Sequence, residues 1–206
     1  MRYRVQNISK VGLIKDSWEI VKANYKLVAA LLGAFVVYQF VQGIVQGFFG
    51  ESFLSVIVSL AFTVITIFLQ IGFIKIGLKL VDKKPAKFEE LWAYPQYLLR
   101  MIAASILYGL AVLGGFILLI IPGIYLALRL QFYSYVILDK DTGVIDSLKR
   151  SWKLTEGNVI NLFLFMFLLI GINILGAIAL LVGLLVTIPV SFIAVTLLYR
   201  KLSIVR

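Results

Sequence analysis

The sequence predicts an all-α integral membrane protein in which six transmembrane helices form three hairpins. Hydrophobic residues make up 62% of the 206 residues. The mean hydropathy of +1.02 lies outside the range of soluble domains. Three apolar segments, 26–80, 97–139 and 158–199, are each long enough for two helices of about 20 residues, the length that a bilayer requires. Nearly all basic residues lie in the segments that flank or join these three, which predicts their orientation.

The first hairpin, 26–80, follows an N-terminal segment that carries several basic residues. Because basic residues stay on the cytoplasmic side, this segment is predicted to be cytoplasmic and the hairpin turn to lie outside. Residues Ile14, Trp18 and Val21 fall on one face of a helix, with charged residues elsewhere, so an amphipathic helix is predicted along the cytoplasmic surface. The basic residues before this hairpin are Arg2, Arg4, Lys10, Lys15, Lys22 and Lys26.

The second and third hairpins, 97–139 and 158–199, are each preceded by a similar segment. In the segment PAKFEELW, Trp92 comes before the second hairpin. Before the third, Ile145, Leu148 and Trp152 line one predicted helical face. Both segments are predicted to be cytoplasmic surface helices, and the C-terminus is predicted to be cytoplasmic. The basic residues that support this are Lys75, Lys79, Lys83, Lys84, Lys87, Arg100, Lys140, Lys149, Arg150, Lys153, Arg200, Lys201 and Arg206.

The returning spans of the second and third hairpins each begin near a proline. Pro122 and Pro189 are predicted to lie in the first turn of their helices, where a missing amide hydrogen costs no hydrogen bond.

The chain also carries signs of an internal repeat. Ser17-Trp18 is followed by Asn24 at the same spacing at which Ser151-Trp152 is followed by Asn158. Trp92 marks a weaker third copy. Three units of one orientation would be related by an axis along the membrane normal, so a pseudo-threefold arrangement is predicted. The units are approximately 10–82, 83–140 and 141–206, within a single membrane domain that covers 1–206.

The central stretch IPGIYLALRLQFYSYVILDKDTGVIDSLKRSWKLTEGN carries a family signature. It resembles a broad group of uncharacterised prokaryotic polytopic membrane proteins related to the membrane domain of some glycerophosphodiester phosphodiesterases. The resemblance implies the architecture but no activity, because the sequence has no histidine for that catalysis. The residues that match the signature are Pro122, Gly123, Arg129, Asp139, Gly143, Ser151, Trp152, Leu154, Thr155, Gly157 and Asn158.

The composition excludes several kinds of chemistry. With no Cys and no His, the chain has no disulfides, no thiol or histidine catalysis and almost no means to hold zinc or haem. No cofactor, metal or catalytic residue is therefore predicted. The net charge of +10 is explained by the positive-inside bias and by anionic phospholipid on the cytoplasmic face rather than by nucleic acid.

Polar residues within the spans form a candidate polar cavity. Arg129 is predicted to lie about 10 Å below the outer boundary, since it follows Pro122 by seven residues. Two interpretations remain open: an anion or headgroup cavity open to the outer leaflet, or hydrogen bonds between helices that fix their packing. The candidate cavity residues are Arg129, Gln39, Gln42, Gln46 and Gln131, with Glu51 as a counter-charge.

The favoured function is a non-enzymatic membrane protein with an accessory or organising role, acting through contacts with lipid or with a protein partner. A small transporter or channel lined by Arg129 is the alternative, and a lipid-modifying enzyme is the second alternative. A protein partner or a homo-oligomer stays open. The location expected is the inner or cytoplasmic cell membrane. The candidate contacts to lipid headgroups are Trp18, Trp92, Trp152, Lys149, Arg150 and Lys153.

Overall fold

The computed structural model describes residues 9–49, 52–179 and 183–204, which form helices and contain no strand. Two 3-10 segments, Phe88–Trp92 and Pro95–Tyr97, precede the fourth α-helix. The α-helices of these residues are α1 (Lys10–Ala23), α2 (Tyr25–Phe49), α3 (Phe53–Val81), α4 (Leu98–Leu118), α5 (Ile120–Leu130), α6 (Tyr133–Lys140), α7 (Val144–Thr155), α8 (Val159–Ile178) and α9 (Leu184–Ile204).

Among the described residues, six helical segments are long and apolar enough to cross a membrane, which confirms the predicted number of spans. Four are the single helices α2, α3, α8 and α9. The third span continues from the 3-10 segments into α4, and the fourth consists of α5 and α6 in succession. Their outward faces carry large exposed apolar side chains such as Phe40, Leu110 and Phe167. Such a surface is suited to hydrocarbon.

A break at Gln131 and Phe132 divides the fourth span into α5 and α6. The backbone amide of Phe132 donates a hydrogen bond of 3.1 Å to the Ser151 hydroxyl of α7. Within a membrane, every backbone polar group must find a partner inside the protein. A side chain of α7 therefore provides the acceptor for Phe132 at the break.

The short segments pack against three of the spans. Helix α1 lies along α9, the 3-10 segment Phe88–Trp92 lies against α3, and α7 lies against α5 and α6. The second of these contacts depends on Gly72, because a Cβ atom there would collide with the backbone of Leu91. In each case a short segment packs against a membrane-spanning helical segment.

Helices α1 and α7 bury matching positions. Each has three residues on its buried face at four-residue spacing, and each is followed by an asparagine whose carbonyl accepts the amide of the residue four positions later. The repeat predicted from Ser17-Trp18 and Ser151-Trp152 stays a prediction. The buried residues are Leu13, Ser17 and Val21 in α1 and Ser147, Ser151 and Thr155 in α7.

The second surface segment differs from the predicted amphipathic helix. Residues Phe88–Trp92 form a 3-10 turn, and a second turn begins at Pro95. Proline disfavours the α conformation in the residue before it, and Tyr94 accordingly has φ −127° and ψ 49°. A longer helix is therefore interrupted three residues after Trp92.

Pro122 and Pro189 have different positions in their helices. Pro122 is the third residue of α5, within the first turn, as predicted. Pro189 is the sixth residue of α9 and lies inside the helix, so the prediction of a first-turn position is wrong for this residue. Proline has no amide hydrogen, and the carbonyl of Leu185 therefore loses its usual helical donor.

The face that α7 turns toward the bundle is distinct from the apolar face on which the prediction of a surface helix rests. Ile145 is 60% exposed and Trp152 is 37% exposed, whereas Ser147, Ser151 and Thr155 are fully buried. Small hydroxyl side chains allow close packing against α5 and α6, because they can hydrogen-bond to backbone groups nearby. Ile145 and Trp152 are left on the outer surface of the helix.

Candidate functional site

Arg129 lies in the last turn of α5 beneath two aromatic side chains. The residue is only 4% exposed. Its guanidinium carbon is 4.1 Å from the centroid of the Trp152 ring and 5.7 Å from that of Tyr125. The two rings contact each other edge to face, with centroids 5.8 Å apart. Helix α5 thus supplies the cation and one ring, and α7 supplies the other ring.

The Arg129 guanidinium has no anionic partner among residues 9–49, 52–179 and 183–204. No carboxylate of these residues lies within 4.0 Å of it, and its buried Nε donates no hydrogen bond. Arginine stays charged in proteins. A desolvated cation–π contact contributes about 2 kcal/mol, whereas burial of an ion costs several. The geometry leaves a positive charge that an anion could neutralise.

The backbone at Arg129 is held by hydroxyl groups of α7. Its carbonyl accepts hydrogen bonds from Ser151 and Thr155, both at 3.0 Å. These bonds connect the end of α5 to α7 directly. The role of Ser151 and Thr155 is thus to position the backbone beneath Trp152, and the Ser-Trp spacing was the sequence signal for it.

The outer surface of α7 is basic. Lys149, Arg150 and Lys153 are exposed, next to the exposed Ile145 and Trp152. Two further candidate headgroup residues, Trp18 and Trp92, are 42% and 51% exposed. All six candidates are therefore accessible at the surface, and their binding to headgroups stays a prediction.

The glutamine stripe lies on a different part of the bundle from Arg129. Gln39 is exposed and Gln42 and Gln46 are half-buried on α2, which packs chiefly on α3. Helix α5 packs on α4, α7 and α8. Gln131 is next to Arg129 in sequence, but its amide donates to the Leu128 carbonyl at 3.0 Å. Glu51 lies outside the described residues.

An apolar groove of about 400 Å³ lies between α2, α3 and α9. One wall carries polar groups: the Tyr38 hydroxyl donates to the Phe62 carbonyl at 2.7 Å, and Thr66 and Gln70 lie beside it. The lining of the groove is otherwise almost entirely apolar, as expected of a surface in contact with hydrocarbon.

An ion-pair network joins the ends of three spans, and sequence reasoning missed it. Arg200 of α9 donates to Asp82, which ends α3, and to Asp139 of α6, each at 2.6 Å. The Tyr199 hydroxyl also donates to Asp139 at 2.9 Å. The available signal was the position of two aspartates directly at the ends of apolar segments, within otherwise basic joins.

A second basic residue near this network, Lys75, contacts a backbone carbonyl and aromatic rings. The Lys75 ammonium donates to the Leu138 carbonyl at 2.6 Å and lies 4.7 Å from the centroid of the Tyr97 ring. Its neighbour Lys79 pairs with Glu90 at 2.7 Å. Both lysines therefore connect α3 to neighbouring segments.

The other residues of the family signature have structural positions. Gly123 packs against Gly115 and Phe116 of α4, where a Cβ atom would collide. Gly143 precedes α7 as its N-cap, and the buried Asn158 precedes α8 in the same way. In the described part of the chain, no three acidic residues come together as a metal site would need.

Comparison with known protein families identifies the family of this chain. Residues 52–205 match the model of a domain of unknown function, DUF7847. The chain belongs to this family. The DUF7847 match covers α3 to α9, and therefore includes Arg129, α7 and the Arg200 network. It confirms the predicted membership of an uncharacterised family, whereas the phosphodiesterase relationship stays a resemblance.

Three curated relatives of this DUF7847 chain are similar to it. Uncharacterized proteins of Mycobacterium bovis and Mycobacterium tuberculosis are each 26% identical over 144 residues, which is 70% of this chain and 44% of theirs. A UPF0259 membrane protein of Pectobacterium carotovorum is 33% identical over 63 residues, 31% of this chain and 25% of its own length. The chain thus spans less than half the length of these relatives. No solved structure matches it significantly.

Proposed function

We propose that this protein is a non-enzymatic, multi-pass protein of the cell membrane that binds anionic phospholipid at its cytoplasmic face and thereby supports a membrane process. The observation that carries the proposal is the outer surface of α7. Lys149, Arg150 and Lys153 are exposed there, and exposed Trp152 and Ile145 lie beside them.

This surface has the properties of a helix at a membrane interface. Its apolar side can enter the boundary between headgroups and acyl chains, while its basic side faces the headgroups. Each Lys or Arg close to an anionic membrane surface contributes about 1 kcal/mol of attraction. Three such residues on one helix give about 3 kcal/mol of preference for anionic over zwitterionic lipid, before screening by salt.

The proposal includes the orientation of the chain in the membrane and its predicted internal repeat. With both termini cytoplasmic, α1, the 3-10 segment Phe88–Trp92 and α7 would lie on the cytoplasmic side, each packed on the second span of a hairpin. The matching burial of α1 and α7 supports three related units around an axis along the membrane normal. Three similar surfaces would then face the same leaflet, where they could also receive a protein partner or a second copy of the chain.

The alternatives have less support from the packing. A transporter or channel lined by Arg129 and the glutamine stripe would need α2 and α5 to share a path, yet α2 packs chiefly on α3, and α5 packs chiefly on α4 and α7. The histidine-dependent chemistry of the phosphodiesterases that the signature resembles would need a residue that the sequence does not supply, and no observation favours another lipid-modifying reaction.

The test uses Trp152 as a local reporter of the lipid beside α7. The chain has three tryptophans, so replacing Trp18 and Trp92 with Phe leaves Trp152 as the sole source of tryptophan fluorescence. Its quenching by brominated phosphatidylglycerol is compared with quenching by brominated phosphatidylcholine in reconstituted vesicles. We expect stronger quenching by the anionic lipid, and loss of that preference when Lys149, Arg150 and Lys153 are all changed to Glu.

The matched control reverses Lys83, Lys84 and Lys87, which are exposed and change the net charge equally at another segment. It should leave the preference at Trp152 largely intact. Equal quenching by the two lipids in the unmodified background would refute the proposal, and so would an effect of the control as large as that of the α7 variant.

A further inference from the structure

We propose that Arg129 binds a single phosphate group beneath Trp152, and that the ligand is the phosphate of an anionic phospholipid. This deepens the proposed lipid binding by assigning it one stoichiometric site, and it rests on that function for the source of the phosphate. The site consists of the Arg129 guanidinium, the rings of Tyr125 and Trp152, and the basic surface of α7.

The first argument is the missing counter-charge. Arg129 is only 4% exposed. No described carboxylate lies within 4.0 Å of its guanidinium. Glu156 follows directly after α7, and helices α4, α5, α7 and α8, which meet here, contain one acidic residue, Asp146. That residue is exposed on the outer side of α7. Within the described residues Arg129 therefore has no close counter-charge, and burial of an unpaired ion is costly.

The second argument is the direction of the unused donors. Trp152 contacts the guanidinium at 4.1 Å between its ring centroid and the guanidinium carbon. The five N–H donors of a guanidinium lie in its plane as a rigid fork that matches the geometry of phosphate oxygens. A ring interaction and a phosphate therefore do not compete for the same hydrogens. The Nε of Arg129 has no acceptor, which leaves that donor available to a ligand.

The third argument is access from the membrane surface. Tyr125 is 41% exposed and Trp152 is 37% exposed, so the guanidinium lies one side chain below the surface. Rotation of the Trp152 ring would open it. Lys149 and Lys153 precede and follow Trp152 on α7 and are exposed, so the entrance is basic. Ser151 and Thr155 already donate to the Arg129 carbonyl, which fixes the backbone of the site.

The experiment combines native mass spectrometry with thermal unfolding in detergent. Delipidated protein is titrated with phosphatidylglycerol in one arm and with inorganic phosphate in the other. Phosphatidylglycerol should bind one to one and raise the unfolding temperature, because a ligand of the native state stabilises it. Arg129→Gln should weaken this binding about ten- to hundredfold, since it removes the charge-assisted hydrogen bonds. Arg129→Lys should bind with intermediate affinity, because it keeps the charge but not the fork.

Two controls keep the outcome interpretable. Arg100→Gln removes an exposed arginine of α4 that pairs with Asp141, and it should leave binding unchanged. Without lipid, Arg129→Gln should unfold at a temperature no lower than the native chain, because it removes an unpaired buried charge. A lower unfolding temperature with unchanged lipid affinity would assign Arg129 to packing and overturn the proposal.

The two titrations and the α7 variant separate a lipid ligand from free phosphate, and this site from the proposed function. Equal stabilisation by inorganic phosphate alone would support the phosphate site and overturn its lipid source. One-to-one lipid binding that survives reversal of Lys149, Arg150 and Lys153 but is lost in Arg129→Gln would support the site even if the proposed function fails. Identical lipid affinity in Arg129→Gln and the native chain would overturn the site, whatever the vesicle experiment shows.

Discussion

Replacing Arg200 with Gln should destabilise the protein substantially, because Arg200 joins the ends of three spans. Its side chain is 18% exposed, and its two aspartate partners are 26% and 10% exposed. A hydrogen bond to a charged group contributes about 1.5–3 kcal/mol. Two of them give roughly 3–6 kcal/mol. Partial exposure reduces this to about 2–4 kcal/mol.

The loss should appear as a lower unfolding temperature in detergent, followed through tryptophan fluorescence. For a chain of this size, 1 kcal/mol corresponds to about 2–4 °C, so we expect a decrease of roughly 5–15 °C. Lys201→Gln is the matched control: Lys201 is exposed and lies 3.8 Å from the exposed Asp16, a pair that contributes about 0–1 kcal/mol. A decrease in Arg200→Gln no larger than that in Lys201→Gln would refute the reasoning.

Two further substitutions test how short segments attach to the spans. Gly72→Ala should lower the unfolding temperature, because the new Cβ would collide with the backbone of Leu91. Its control is Gly33→Ala in α2, which has open space around it and should be neutral or stabilise by up to about 1 kcal/mol. Equal effects of the two substitutions would contradict the predicted collision. Ser151→Ala should cost about 1–3 kcal/mol in thermal unfolding, because it leaves the buried Phe132 amide without an acceptor. Ser203→Ala, which removes only a local bond, is its control, and a loss no greater than that of the control would show that the amide finds another partner.

The sequence was sufficient for the number of spans because that property depends on hydropathy summed over about 20 residues. The errors concern features that depend on tertiary contacts. The segment before Trp92 has the periodicity of an amphipathic helix, but Pro95 and the close approach of Leu91 to Gly72 give a 3-10 turn. The buried hydroxyl face of α7 was missed because periodicity identifies apolar residues, whereas Ser147, Ser151 and Thr155 are buried.

The candidate site was predictable only in part, for a related reason. A charged residue within an apolar segment identified Arg129 from the sequence alone. Which residues surround it depends on the partners of α5, and those are on α4, α7 and α8 rather than on the glutamine-bearing α2. The Arg200 network was missed because its two aspartates are 118 and 61 residues away along the chain. Pairing over such separations leaves no periodic signal.

The position of Arg200 in the last helix has a consequence for the order of assembly during synthesis. Chains are made at about 5–20 residues per second, so Arg200 is added roughly 6–24 s after Asp82, which precedes it by 118 residues. Helix α1 likewise can complete its packing only after α9, which it contacts, has been made. Until α9 arrives, Asp82 and Asp139 lack this cation, and α1 lacks the surface that covers Leu13. Arrival of α9 therefore completes contacts of α1, α3 and α6, which are made at three different times.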